Sequence, residues 1–339
     1  MALGYAGTVH GIPGFETDGL SASFAFEPLT VGDALAIASE QFGIAGAHAV
    51  RLDTERDDTF RLTFDSGDLV LKVAHPADSE AEIDLQTQAL LHAQKADASL
   101  PLQRMLPSTS GNFAPVLPNH DGRIARLFSW LPGTELLDVR PDDLQLARLG
   151  DALGRLSRAL SEFRHPAGDR VSAWDLVTLP RLRSLLATEP NKYAARALDR
   201  FDERVAPRLS ELPRQIIHND FNPGNVLVDD QYRDYVVGIL DFGDTVHSLR
   251  VADLAVALCY QLYPLGRTWE TVAPMIDAFE RHVPLEPVER DVLVDLVIAR
   301  FAQRLLINDW MARESTGRTR DDEFRDRLLA ALRQLLKEN

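Results

Sequence analysis

The stretch that most constrains the fold is a short non-helical island, residues 215–244, inside a half of the chain otherwise patterned for helices. Before it, Leu144, Leu149, Leu153, Leu156 and Leu160 fall on or near one helical stripe, and helical apolar patterns resume at Val251. The island holds three brief apolar runs, Ile216-Ile217, Val226-Leu227-Val228 and Val236-Val237-Gly238-Ile239-Leu240. Runs this short, separated by Asn, Asp, Pro and Gly, read as strands. Between the first two lies His218-Asn219-Asp220-Phe221-Asn222-Pro223-Gly224-Asn225, and Asp241-Phe242-Gly243 follows the third. The short connection through Asp229-Asp230-Gln231 predicts that the last two runs pair antiparallel. Asn225 opens one strand and Asp241 ends the other, so both lie at the same end of the hairpin. Asn222-Pro223-Gly224 has the turn chemistry to bend Asp220 back toward that end.

The two pieces have the spacing H-x-D-x-x-x-x-N and D-F-G, that of a kinase catalytic loop and its metal-binding partner. Phosphoryl transfer needs these residue types. A hydroxyl is a poor nucleophile, and a carboxylate beside it accepts its proton as the transition state forms, the role Asp220 is placed for. A triphosphate needs a hard divalent cation, and Mg²⁺ takes oxygen ligands, here the Asn225 amide oxygen and the Asp241 carboxylate. His218 is expected to brace the loop by hydrogen bonding.

The front half is β-rich. Residues 59–64 alternate, Asp65-Ser66-Gly67-Asp68 is a turn signal, and Leu69-Val70-Leu71-Lys72-Val73 predicts a second strand. A lysine in such an apolar strand is costly to bury without a partner, and a kinase needs one on the α/β phosphates, so Lys72 is the candidate. Its partner acid is open. A kinase-like pattern puts a glutamate where the next helix has Gln86, and Glu82 is an alternative. Asp57-Asp58-Thr59 sits where a phosphate-covering hairpin tip or a plain turn is expected. A second hairpin spans residues 112–128 around Asn119-His120-Asp121-Gly122, and Pro132-Gly133 ends the β-rich part. This predicts an α+β chain of two lobes: a loose arm over 1–27, a β-rich N-lobe over 28–130 and a helical C-lobe over 131–339.

Composition narrows the partners. A net charge of −15 argues against a general nucleic-acid binder. No apolar stretch approaches the ~20 residues of a spanning helix, and Met1-Ala2-Leu3-Gly4-Tyr5 lacks a basic leader, so no membrane partner and a cytoplasmic setting are expected. The single cysteine, Cys259, lies in an apolar run and reads as a buried small hydrophobe.

These motifs resemble the aminoglycoside phosphotransferase and choline kinase-like family, from about Val50 to the C-terminal helices. Asp241-Phe242-Gly243-Asp244-Thr245-Val246-His247 with Arg250-Val251-Ala252-Asp253-Leu254-Ala255 is most similar to the hydroxylysine kinases within it. The resemblance implies a two-lobed protein-kinase-like fold with a small antiparallel N-lobe sheet and a larger, mostly helical C-lobe. It also implies Asp220 as base, Asn225 and Asp241 as Mg²⁺ ligands, Lys72 on the phosphates, and Phe128-Ser129-Trp130 as the hinge that meets the purine of ATP or GTP. Gln86 departs from the usual acidic position. The lack of G-x-G-x-x-G before Lys72 and of A-P-E after Asp241 counts against a protein kinase. The acceptor is then the hydroxyl of a small molecule, an amine or amino acid. Arg300, Arg304 and Asn308 share one helix face and suit an amino-acid carboxylate; the other reading is a solvated stripe or an ion pair with Asp295 or Asp309. The acidic chain suits a cationic acceptor. An antibiotic phosphotransferase is the enzymatic alternative. A nucleotide-binding pseudokinase or regulatory module is the other, against which the intact Asp220, Asn225 and Asp241 argue.

Overall fold

A computed structural model describes Ile12, Phe15 and residues 26–338, apart from 55, 66, 230, 232–234, 264–265 and 315–320. The front part runs α1 (Val31–Phe42), β1 (His48–Arg51), β2 (Asp58–Phe64), β3 (Gly67–Val73), α2 (Glu80–Ala96), β4 (Met105–Leu106), β5 (Val116–Leu117) and β6 (Arg123–Ser129). Both helices begin on capping boxes, Thr30 with Asp33 and Ser79 with Glu82. The strands form one antiparallel sheet in the order β1-β2-β3-β6-β4, with β5 also on β6. The expected hairpins are present; the pairing of Met105–Leu106 with β6 is an addition too short to show a period.

Strand alternation decides which side chains meet the rest of the molecule. Leu71 and Val73 of β3, with Ala125 and Leu127 of β6, pack under α1 against Ile37 and Phe42. Val70 and Phe128 face the opposite way and join the large core of α2 and the helical part. Lys72 and Arg126 fall in that second register, directly opposite each other. The first face is an apolar layer except at its end, where Arg123 meets Asp58, while Lys72 and Arg126 are turned toward the second.

The rest of the chain comprises β7 (Thr134–Glu135), α3 (Asp143–Leu160), α4 (Lys192–Arg204), β8 (Arg214–Ile217), β9 (Val226–Val228), β10 (Val236–Ile239), β11 (Val246–Leu249), α5 (Arg250–Leu262), α6 (Ala273–Glu280), α7 (Pro287–Glu314) and α8 (Asp322–Glu338). β9 and β10 pair antiparallel as expected, with β7 added at the edge. β8 pairs with β11, a strand the sequence pattern did not reveal because Val246-His247-Ser248-Leu249 runs straight into a helix. Of the expected loose arm, Ile12 and Phe15 are buried in the main core, and the remainder up to residue 25 lies outside the described residues. No helix among the described residues is long and apolar enough to cross a membrane. Cys259 is fully buried.

α3 and α6 approach more closely than side chains would permit. A Cβ at Gly150 would lie 2.1 Å from the Met275 carbonyl oxygen, and one at Gly154 2.9 Å from that of Phe279. The obstacles are backbone atoms, which cannot swing aside. Gly150→Ala is therefore expected to destabilise the fold by about 1–3 kcal/mol through overpacking, read as a lower urea midpoint with an unchanged slope.

Candidate active site

The loop after β8 is held from below by Asp253, in the first turn of α5. Its fully buried carboxylate accepts the backbone N–H of His218 at 3.1 Å and of Asn219 at 2.6 Å. Burial pushes the Asp253 carboxyl up, against the pull of His218 and of the two N–H donors. To present both N–H groups to one carboxylate, Asn219 adopts a left-handed backbone with φ +66°. Asparagine tolerates that region better than most residues. The His218 ring fits between the two parts of the site. Its Nε2 meets the Leu240 carbonyl at 2.9 Å, its Nδ1 accepts the Asp220 N–H at 3.2 Å, and Phe242 packs edge-on at 4.9 Å.

Asp220 then projects outward. The turn is closed by Asn222, whose Oδ1 accepts the Gly224 N–H at 2.7 Å. Asn225 donates its Nδ2 to the Asp220 carboxylate at 2.6 Å and to the Asp220 carbonyl at 3.1 Å. The Leu240 N–H bonds the Asn225 carbonyl at 2.8 Å, so the end of β10 is tied to the start of β9. Asp241 follows at φ +55°, with the Gly243 N–H on its Oδ1 at 2.9 Å. Lys72 reaches across from the sheet to the other oxygen at 3.1 Å. The lysine charge holds the Asp241 carboxyl well below the usual range, against the effect of burial.

Lys72 has a second acid, and it is neither Gln86 nor Glu82. Its Nζ lies 3.3 Å from Asp57. Burial lowers the ammonium's pKa, but Asp241 and Asp57 offset this and hold it above its ordinary value. Glu82 is engaged in the Ser79 cap and lies 3.3 Å from Arg170. Gln86 accepts a hydrogen bond from Arg126 at 2.8 Å, and Arg126 in turn approaches Asp57 at 3.7 Å. Arg126 is a buried, positively charged neighbour of Lys72, so a neutral amide at position 86 leaves the cluster balanced by Asp57. Asp57-Asp58-Thr59, expected as a phosphate-covering hairpin tip or a plain turn, is buried at all three positions. Asp57 turns toward Lys72 and takes the His75 N–H, while Asp58 turns the other way onto Arg51 and Arg123. The available signal was two buried-strand arginines, Arg123 and Arg126, each needing a carboxylate.

Arg170 carried no motif, yet it clamps the segment after Asp241. It donates to the carbonyls of Gly243 at 2.8 Å and Thr245 at 3.1 Å. Asp244, between them, is pushed up to about 7, first by burial and then by the charge of Asp220.

The three α7 residues separate. Arg300 is 1% exposed, donates to the Trp174 carbonyl at 2.8 Å and to Gln303 at 2.9 Å, and lies 3.8 Å from the Asp220 carboxylate. Arg304 is buried against aromatic rings. Asn308 is half-buried and has no described bond to the cluster. The alternative of a solvated stripe or of pairing with Asp295 or Asp309 does not hold. Arg300 and Arg304 are enclosed, Asp295 is paired with Arg200 and Arg204, and Asp309 with Arg325. At the end of β6, Phe128 is buried, the Ser129 N–H bonds the Arg104 carbonyl while its hydroxyl accepts the Arg104 N–H, and Trp130 is stacked by Arg61 at 4.1 Å.

Two outcomes test this geometry. In Asp253→Asn one of the two loop N–H groups loses its acceptor, so stability should fall by about 1–3 kcal/mol, seen in urea unfolding. Asp244 has a folded pKa above its unfolded value, so the stability it contributes is full below about pH 4 and is lost as pH rises through about 7. Asp244→Asn should therefore gain on the native chain by at least about 1 kcal/mol between pH 4.5 and pH 8. Parallel urea-midpoint curves for the two proteins would refute the assignment.

Comparison with known proteins gives the family and the fold. The sequence model of the phosphotransferase enzyme family matches residues 49–287. A hydroxylysine kinase of Danio rerio is 30% identical over 263 residues, covering 72% of this chain and 73% of its own. A microcompartment-associated aminopropanol kinase superposes with a TM-score of 0.71 at 17% identity, over 91% of this chain and 97% of that one. An amicoumacin kinase solved with AMP-PNP, Ca²⁺ and Ami gives 0.69 at 15% identity, over 92% and 94%. The fold is the two-lobed, kinase-like one, and the chain belongs to the phosphotransferase enzyme family as a small-molecule kinase acting on hydroxyl groups.

Proposed function

We propose that the protein moves the γ-phosphoryl group of ATP or GTP onto the hydroxyl of a small amine or amino acid, with Mg²⁺. Asp220 accepts the hydroxyl proton, Asn225 and Asp241 hold the cation, and Lys72 contacts the α/β phosphates. Residues 28–130 form the nucleotide-holding lobe, with Phe128, Ser129 and Trp130 as the hinge beside the base. Residues 131–339 carry the catalytic loop and the acceptor site, and His218 supports the loop. The observation that carries this reading is the cluster of Lys72, Asp220, Asn225 and Asp241 across one cleft, linked by contacts of 2.6 and 3.1 Å.

The donor set fits a hard cation. Asn225 directs its Nδ2 to Asp220, which leaves its amide oxygen without a hydrogen bond among the described residues. The Asp241 carboxylate, 43% exposed, is kept ionised by Lys72. Two protein oxygens are few, which suits Mg²⁺, an ion that completes its shell with phosphate oxygens and water. When bound, the cation would offset the charge on the transferring group. The protein's own contribution is geometric. Asp220 is oriented by Asn225 on one oxygen and approached by Arg300 near the other, and its backbone is fixed through His218.

The acceptor class rests on chemistry and on likeness. Asp220, Asp241 and Asp244 together favour a cationic acceptor, and the relatives are named for hydroxylysine and aminopropanol.

The test is nucleoside diphosphate release with Mg·ATP or Mg·GTP across hydroxylated amino acids, amino alcohols, choline and aminoglycosides. Turnover is expected with an amino acid or amine. Preference for aminoglycosides would select the antibiotic reading, and tight nucleotide binding with no turnover would select a pseudokinase. Asp220→Asn should retain nucleotide binding while transfer falls by a factor on the order of 10² or more. Asp241→Ala should instead weaken the Mg·nucleotide complex in titration calorimetry.

A further inference from the structure

Arg300 and Arg304 lie one turn apart on α7, about 6 Å along the axis, yet they are held in opposite ways. Arg300 donates from Nη1 to both the Trp174 carbonyl and Gln303, its Nη2 lies 3.8 Å from the Asp220 carboxylate, and its Nε is sealed from solvent. The Arg304 guanidinium lies over the Tyr260 ring at 4.0 Å, with Phe324 and Tyr263 at 5.3 and 5.4 Å. Its one hydrogen bond runs from Nη1 to Cys259 Sγ at 3.8 Å. No carboxylate among the described residues pairs with it, since Asp295 and Asp309 on the same helix are engaged elsewhere.

A guanidinium only 5% exposed, with Nε and Nη2 lacking a protein acceptor, is an unfinished arrangement. Unlike the Arg300 Nε, neither of those two is a sealed nitrogen. Aromatic faces stabilise the cation and fix its plane but accept none of its in-plane hydrogen bonds. What is missing is a planar two-oxygen acceptor, the match for a guanidinium fork. The site belongs with the cleft. Arg304 follows Arg300 by one turn of α7 and lies over Tyr260, and the Arg300 guanidinium is 3.8 Å from the Asp220 carboxylate, so these groups share one neighbourhood.

We infer that Arg304, on its Tyr260 wall, receives the carboxylate of an amino-acid acceptor whose hydroxyl lies at Asp220. This rests on the phosphotransfer reading above and sharpens it. Of the three α7 residues, Arg304 alone reads the acceptor's carboxylate, while Arg300 braces Asp220 and the Trp174 carbonyl. Carboxylate-free amino alcohols leave the guanidinium unpaired and are poor acceptors.

The experiment compares 5-hydroxylysine, its carboxamide and 1-amino-2-propanol as acceptors for the native enzyme, Arg304→Met and Arg304→Lys. Native kcat/KM should favour the acid over the amide by on the order of 100-fold. In Arg304→Met that ratio should collapse to about threefold or less through a higher KM for the acid, with kcat and the nucleotide KM nearly unchanged; Arg304→Lys should restore part of it. A native enzyme that uses acid and amide equally, or an Arg304→Met ratio unchanged from native, overturns the inference while leaving phosphotransfer intact. The native ratio alone decides the matter if Arg304→Met does not fold. Should the native enzyme phosphorylate nothing, phosphotransfer itself fails. Calorimetry of 5-hydroxylysine against its amide then judges the carboxylate site alone, with equal or absent binding counting against it.

Discussion

The Asp253 carboxylate, enclosed on α5, accepts the N–H groups of His218 and Asn219 and so decides where the chain goes after β8. Both donors are themselves in fully buried residues, and without Asp253 they would be stranded away from water at a cost comparable to lost hydrogen bonds. The arrangement is expensive on the acid's side too, as its raised pKa records. What it secures is the left-handed turn at Asn219, after which Asp220 points outward and the chain returns to Asn225. His218 carries the same constraint to the end of β10 through the Leu240 carbonyl. The loop and the segment beginning at Asp241 are thus tied into one unit, although Asn225 and Asp241 lie 16 positions apart in the chain.

The acids around this unit fall into two groups. Asp58 and Asp295 are each engaged by two arginines, and Asp57 by Lys72 and Arg126. They neutralise buried cations and contribute little field outside. Asp220, Asp241 and Asp244 face the cleft, and their environments differ: Lys72 keeps Asp241 ionised, while burial and Asp220 raise Asp244 to about 7. A chain with a net charge of −15 therefore concentrates part of its acidity at one place, which is where a divalent cation and a cationic acceptor would be drawn.

How much of this was legible in the sequence follows from how local each signal is. The β9–β10 hairpin and the common end shared by Asn225 and Asp241 were readable because short apolar runs and turn residues encode them within about thirty positions. The hairpin that carries Lys72 followed from period-two alternation and its turn residues, but the face that Lys72 takes did not. Asp57, Arg126, Arg170 and Asp253 were not assigned, since each acts through a contact far away in the chain. Asp253 looked like one polar residue in an apolar helix, and only the fold reveals that its neighbours are backbone N–H groups. Gln86 shows the same limit from the other side. It departs from the expected acid, and nothing local indicates that Arg126 has taken up its amide and that Asp57 has supplied the charge. The α7 trio was read as sharing one face, but helical spacing cannot distinguish an arginine tied to a carbonyl from one left open.

The Lys72–Asp241 pair joins residues 169 positions apart and is the direct ionic link between sheet and catalytic unit. On the proposed mechanism each partner has another destination, the lysine a phosphate and the aspartate a cation. Bound Mg²⁺ and triphosphate would supply both, so opening the pair would leave neither charge unsatisfied. Until then each ion keeps the other ionised and aimed into the cleft. Asp57 makes this exchange possible. It lies 3.3 Å from the Lys72 ammonium, accepts the His75 N–H and is 3.7 Å from Arg126. The lysine can therefore release Asp241 without losing its anchor, which is what a glutamate on α2 would have provided and what Gln86 cannot.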